Sequence, residues 1–247
     1  MRQLLHAEVL KLRTTRTFLV LAGLAAGLSV LLAGLSAGFA DDDTRDIVTE
    51  VFATDLSSVF VLILAVVGIT GEWRHRTITS SLLAAPDRVR FLGAKTLAYG
   101  AAGLALSLLV AAAVTVVGLV MVVIRDLPLP GIGDLLELYA RSAGTTMLLG
   151  ALGVGIGAII RNQAVAIVLV LVTGFIVEPA IVALLPDAGR FGPLTVLPTA
   201  LSYTADADSG YDAAVLIAPG YAVLAMLAWI LVLFAAGAAL LRARDVE

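Results

Sequence analysis

The chain contains no cysteine and only two histidines, His6 and His75, among 247 residues. Without cysteine there are no disulfides, no thiolate nucleophiles and no cysteine-bound metal. Charge is scarce as well: 14% of residues are charged and the formal net charge is −3. That balance argues against a nucleic-acid partner, which needs a concentrated basic surface. There is no G-x-x-x-x-G-K-[ST] loop. Gly93-Ala94-Lys95-Thr96 lacks the spacing by which backbone amides cradle a phosphate. Both histidines lie in polar segments, so neither can meet a serine inside an apolar stretch as an intramembrane protease requires. Apolar stretches with almost no His, Asp or Glu leave little to hold a metal. Asp206, Asp208, Gly210 and Asp212 faintly resemble a calcium loop, but the glycine comes one position early and no glutamate closes the motif. The sequence thus predicts no catalytic residue, metal or cofactor within this chain.

Apolar residues are abundant. They make up 60% of the chain, and mean hydropathy is +1.04, which points to a bilayer rather than an aqueous surround. A spanning helix takes roughly 20 mostly apolar residues to cross about 30 Å of hydrocarbon. By that measure spans are expected at about 18–40, 51–70, 97–124, 142–160, 164–185 and 219–241. Gly38-Phe39-Ala40 loosely fits a cleavage site, but the run before it exceeds the roughly 7–15 residues of a signal peptide. The short connections and lack of a repeat predict a single domain over 1–247, an all-α membrane protein.

Six spans put both termini on one side. Twelve of the sixteen Lys and Arg residues fall on that side, and Arg45, Arg125, Arg141 and Arg190 on the other. The bias predicts cytoplasmic termini. Asp41, Asp42, Asp43, Asp46 and Glu50 gather in the first outer loop. Five of the basic residues, and His75, lie in the polar island 71–96 between spans two and three, which is then cytoplasmic. Trp73, Ile78, Leu82 and Leu83 recur there at helical spacing, Pro86 ends the pattern, and Asp87-Arg88 follow as a turn. Lys95 and Tyr99 fall where interfacial anchors sit. Such an island either docks on a soluble partner as a short amphipathic helix or serves only as a solvated topological signal. Upstream, Leu5, Val9 and Leu12 share one helical face, and Arg2, Lys11, Arg13 and Arg16 are basic. That pattern predicts a helix over 1–17 lying in the membrane interface, or simply a topogenic charge cluster.

Gly71-Glu72-Trp73-Arg74-His75-x-Thr77-Ile78, then Leu82-Leu83-x-x-Pro86, Arg88 and Lys95, resembles the membrane subunits of type-2 ATP-binding-cassette exporters. The likeness extends in outline along the chain, from the basic N-terminal helix through six spans and a long last outer loop to Leu241-Arg242-Ala243-Arg244. In that family the loop between spans two and three is a coupling helix seated in a cleft of the ATPase. The resemblance therefore implies contacts from Glu72, Trp73, Arg74, His75, Thr77, Ile78, Leu82, Leu83, Pro86 and Arg88, with Arg161 as a smaller contact. It also implies a separate dimeric ATPase that binds ATP and magnesium, a second copy of this chain or a close relative, and a bacterial plasma membrane. Arg76 departs from the pattern, since relatives usually carry glycine before the threonine.

Candidates for the route are Ser57, Ser58 and Glu178. Glu178 lies about 20 Å along span five from its cytoplasmic end, at 1.5 Å per residue. It either faces a route, a cationic substrate or a proton path, or meets water because Pro179 breaks the helix. Asp55 reads as a helix-start residue favoured by the dipole. Gly23-x-x-x-Gly27, Gly34-x-x-x-Gly38 and Gly153-x-x-x-Gly157 permit close helix approach. The outer segment 186–218 either folds back as a gate or is a disordered loop. The leading expectation is a permease subunit that carries an amphipathic or lipid-like substrate, with ATP hydrolysed by its partner. The alternatives are a proton-coupled carrier using Glu178 and a nontransporting membrane scaffold.

Overall fold

A computed structural model describes residues 1–39, 51–79, 87–202 and 210–243. It is all-helical, with no strand among the described residues. Helix α1 (Arg2–Thr14) is followed by α2 (Arg16–Phe39), α3 (Ser57–Arg74), α4 (Arg88–Ile124) and α5 (Ile132–Ile159). Then come α6 (Gln163–Leu184), two short helices α7 (Pro186–Gly189) and α8 (Val196–Ser202), and α9 (Pro219–Ala243). Helices α2, α3, α4, α5, α6 and α9 are each long and apolar enough to cross a membrane. Their lipid-compatible faces carry exposed Leu19, Leu24, Leu108, Val168, Leu224 and Leu231, so this is a multi-pass membrane protein. The acidic loop residues Asp41, Asp42, Asp43, Asp46 and Glu50, and also Arg45, Asp206, Asp208 and Arg244, lie outside the described residues.

Helix α5 is the centre of the bundle, packing against α3, α4 and α9. Glycine makes that possible. A Cβ at Gly150 would lie 2.4 Å from the Tyr99 carbonyl oxygen, and one at Gly103 would lie 2.5 Å from that of Thr146. Gly153 and Gly157 serve the α3 contact, where added methyls would meet the Leu62 oxygen at 2.9 Å and Ile69 Cγ2 at 2.2 Å. The paired glycines of α2 behave differently. A Cβ at Gly23, Gly27, Gly34 or Gly38 meets nothing within 4 Å, because α2 faces the bundle with Ala22, Ala25, Ser29, Ala33 and Ala37.

The boundaries differ from the sequence expectation in two instructive places. Span three begins at Arg88 instead of 97, because the Asp87 carboxylate caps the helix, accepting from Val89 N (3.0 Å) and Arg90 N (3.1 Å). Lys95 thereby sits two turns inside α4, buried at 1% exposure, and is no interfacial anchor. Nor does Pro179 break span five. A π-turn over Thr173–Val177 accommodates the missing N–H, with Glu178 N reaching back to Thr173 O. The helix then continues to Leu184.

Helix α3 ends at Arg74, the chain turns through His75 and Arg76, and helical backbone resumes at Ile78. The helical spacing expected across Trp73, Ile78, Leu82 and Leu83 is therefore interrupted at residues 75–77. Arg76 has φ 56°, a left-handed conformation that costs a residue with a Cβ about 1 kcal/mol more than glycine. Arg76→Gly is expected to raise the thermal midpoint by a few degrees without changing the fold, measured by unfolding in detergent.

Candidate functional site

At the end of the bundle where α1 lies and α9 finishes, four charged side chains from three helices meet. Glu8 and Lys11 come from α1, Glu72 from the end of α3 and Lys95 from α4. Lys95 Nζ lies 2.7 Å from Glu8 Oε2 and 2.8 Å from Glu72 Oε1, while Lys11 Nζ lies 2.9 Å from Glu8 Oε1 and 3.0 Å from Glu72 Oε1. Glu8, Glu72 and Lys95 are buried, and Lys11 is half-exposed. The quartet is electrically neutral, which makes burying its charges tolerable. Glu72 Oε2 and, beside it in the chain, Trp73 Nε1 are buried without a hydrogen-bond partner among the described residues.

This arrangement follows from the amphipathic pattern of α1. Leu5, Glu8 and Leu12 share one face, with Leu12 buried, Leu5 and Val9 half-buried, and Arg2, Arg13 and Arg16 exposed. The sequence pattern gives Glu8 no role of its own; its signal is an acid on the apolar stripe, three residues after Leu5 and four before Leu12. Burial alone would raise the Glu8 carboxyl's pKa, yet the Lys95 and Lys11 ammoniums outweigh it and hold the value below the ordinary one. Burial likewise opposes the charge on Lys11, but its hydrogen bond to Glu8 and the Glu72 charge raise its pKa above the ordinary one. Glu8's contribution to stability is complete above 4.5 and is lost as pH falls through the depressed folded value. Lys11's contribution is complete below 10.5 and is lost as pH rises through the elevated folded value. Thermal unfolding against pH is expected to show a plateau between these limits that declines on both flanks.

The quartet forms the root of the polar island. Arg74, His75, Arg76 and Thr77 are exposed above it, and Ile78 is buried beneath them against Phe91, Leu4 and Trp73. The Arg161 guanidinium stacks 4.5 Å from the Trp73 ring centroid, and Arg74 Nη1 donates to Gln163 Oε1 at 3.3 Å. The island and the α5–α6 turn thus form one surface rather than two separate contacts. Arg88 is turned inward, its Nη1 donating to the Leu241 carbonyl at the end of α9. Of the residues expected to face a partner, Glu72, Ile78 and Arg88 are structural ties. Arg74, His75, Thr77 and Arg161 are exposed. Leu82, Leu83 and Pro86 lie outside the described residues.

The proposed route residues lie at the other end of the bundle and do not share one space. Ser57 is buried, its Oγ 3.1 Å from Thr146 Oγ1. Ser58 lines a cavity of about 320 Å³ together with Asp55, Tyr139, Ser142 and Thr199. Asp55 accepts from Ser57 N (2.7 Å), from Ser107 Oγ (3.0 Å) and from Ser142 Oγ, joining the start of α3 to α4 and α5. Glu178 borders a different, mostly apolar cavity of about 460 Å³. It is only 4% exposed, so it does not meet water as a broken helix would have allowed. Its carboxylate accepts from Leu194 N (2.9 Å), Thr195 N (2.8 Å) and Thr195 Oγ1 (2.8 Å). Within the described part of 186–218, the chain folds back against the bundle at this point, and Val196, Leu197 and Ala200 of α8 are buried.

No protein-family model and no curated protein matches this sequence.

Proposed function

We propose that this chain is the membrane-spanning permease subunit of an ATP-driven exporter of the type-2 cassette class. Two copies, or one copy and a close relative, form the route, and a separate dimeric ATPase binds ATP and magnesium. The reading places the termini and the island in the cytoplasm of a bacterium. The observation that carries it is the construction of the island's root. An exposed edge from Arg74 to Thr77, continuous with Arg161, stands directly on a buried ion quartet that joins α1, α3 and α4. A load applied at that edge reaches three helices through short, charge-assisted contacts, which is what a lever between an ATPase and the spans requires. Two buried polar atoms without partners among the described residues, Glu72 Oε2 and Trp73 Nε1, mark the same root. The substrate is amphipathic or lipid-like, since the spans present apolar surface with few polar groups.

Truncating Leu82 and Leu83 to alanine together tests the docking step. The expected result is loss of ATPase co-purification, with membrane insertion and thermal stability unchanged. Unaltered association would overturn it. The proton-coupled reading is weaker on this geometry, because Glu178 is held by three donors from a single segment.

A further inference from the structure

The cavity beside Asp55 has a chemical character that bears on what the protein holds there. Among the described residues Asp55 is the only charged one that lines it, and no ion pair holds that carboxylate. Its three hydrogen-bond donors are one backbone N–H and two serine hydroxyls, all neutral. A carboxylate within a helical bundle and lacking a counter-ion is costly. Asp55 is nonetheless half-buried and borders about 320 Å³ of open space. Across Leu194 and Thr195 lies a second carboxylate, Glu178, which also has no cationic partner among the described residues. Both acids place negative potential at this end of the bundle.

The rest of the lining fits one kind of occupant. Hydroxyls of Ser58 and Thr199 offer acceptors near Asp55, while Phe52, Leu62 and Leu149 supply an apolar wall. Phe175 lines the cavity and is also 63% exposed, so the space reaches the outside of the bundle beside that ring. A small hydrophilic cation would leave the apolar wall unmatched, and a neutral lipid would leave Asp55 without a counter-ion. We propose that this cavity binds the protonated amine of a cationic amphiphile, with Asp55 as the counter-ion and the apolar wall taking the chain. The ammonium's N–H groups are shared between Asp55 and the hydroxyls that line the same space. This gives a substrate class to the permease reading and rests on that reading only for the movement of what is bound.

The test is direct binding to the purified full chain in nanodiscs of neutral lipid, without any ATPase, using dodecylammonium and dodecanol as matched probes. The expected result is saturable dodecylammonium binding at least tenfold tighter than dodecanol binding. Asp55→Asn is expected to abolish that preference. Because Asp55 also organises α3, α4 and α5, a second variant is needed. Ser58→Leu fills the cavity and is expected to weaken dodecylammonium at least tenfold with an unchanged thermal midpoint. Equal binding of the two probes to the wild-type chain, or full binding by a folded Ser58→Leu variant, would overturn the proposal. Either outcome leaves the ATPase co-purification test untouched, so failure here and failure of the permease reading are distinguishable.

Discussion

Replacing Lys95 with methionine is expected to destabilise the protein by about 3–5 kcal/mol, because it leaves the carboxylates of Glu8 and Glu72 facing each other without their buried cation. For a chain of this size that corresponds to a fall in Tm of about 10 °C. Helix α1 is expected to loosen first, since Glu8 links it to α4 through Lys95 alone, and Lys11 is half-exposed and screened. The triple variant Lys95→Met, Glu8→Gln, Glu72→Gln removes the three buried charges, leaves only the half-exposed Lys11 charged, and is expected to recover most of the loss, since replacing buried ions together costs far less than orphaning them. Unfolding followed by tryptophan fluorescence in detergent checks both. If the single and triple variants melt together at the wild-type temperature, the quartet is not a tie. A triple variant that is stable yet uncouples ATP hydrolysis from transport would show that the charges serve transmission rather than folding.

The second large effect is expected at Glu178. Glu178→Ala strands the N–H groups of the half-buried Leu194 and Thr195, at up to about 1–3 kcal/mol for each unsatisfied group. The loss is local. Hydrogen exchange at residues 194–202 is expected to accelerate by at least tenfold, while the α3–α5 contact exchanges as in the wild type. Glu178→Gln separates holding from proton transfer, because its amide oxygen still accepts but its nitrogen faces a donor. Intermediate exchange protection with transport reduced in proportion supports a structural role. Wild-type exchange with abolished transport and an intact ATP response would make Glu178 a proton carrier.

The architecture was largely legible because bilayer-length apolar runs are separated by charged segments, and the six helices fall close to those runs. What the sequence could not reveal is how charges meet across helices. Lys95 reads as an anchor at the start of a span. It becomes buried because Asp87 starts α4 two turns earlier and because Glu8 and Glu72 approach from α1 and α3. Periodicity within one helix carries no information about such a meeting, although Glu8 on an apolar stripe hinted that α1 needed a basic partner. Pro179 is misleading for a related reason, as a proline is compatible with a continuous span once a π-turn absorbs its missing donor. Arg76 is the converse. Its departure from the glycine of the resembled family marked the very position where the backbone turns left-handed.

The most direct measurement of the account is site-specific photocrosslinking from His75 in native membranes, combined with labelling of the same position from either side. His75 is exposed at the tip of the α3 turn and carries no part of the buried quartet, so a probe there leaves the fold intact. The account predicts that His75 is labelled only from the cytoplasm and captures a nucleotide-binding subunit. Labelling from outside the cell, or capture of no such subunit, would contradict it.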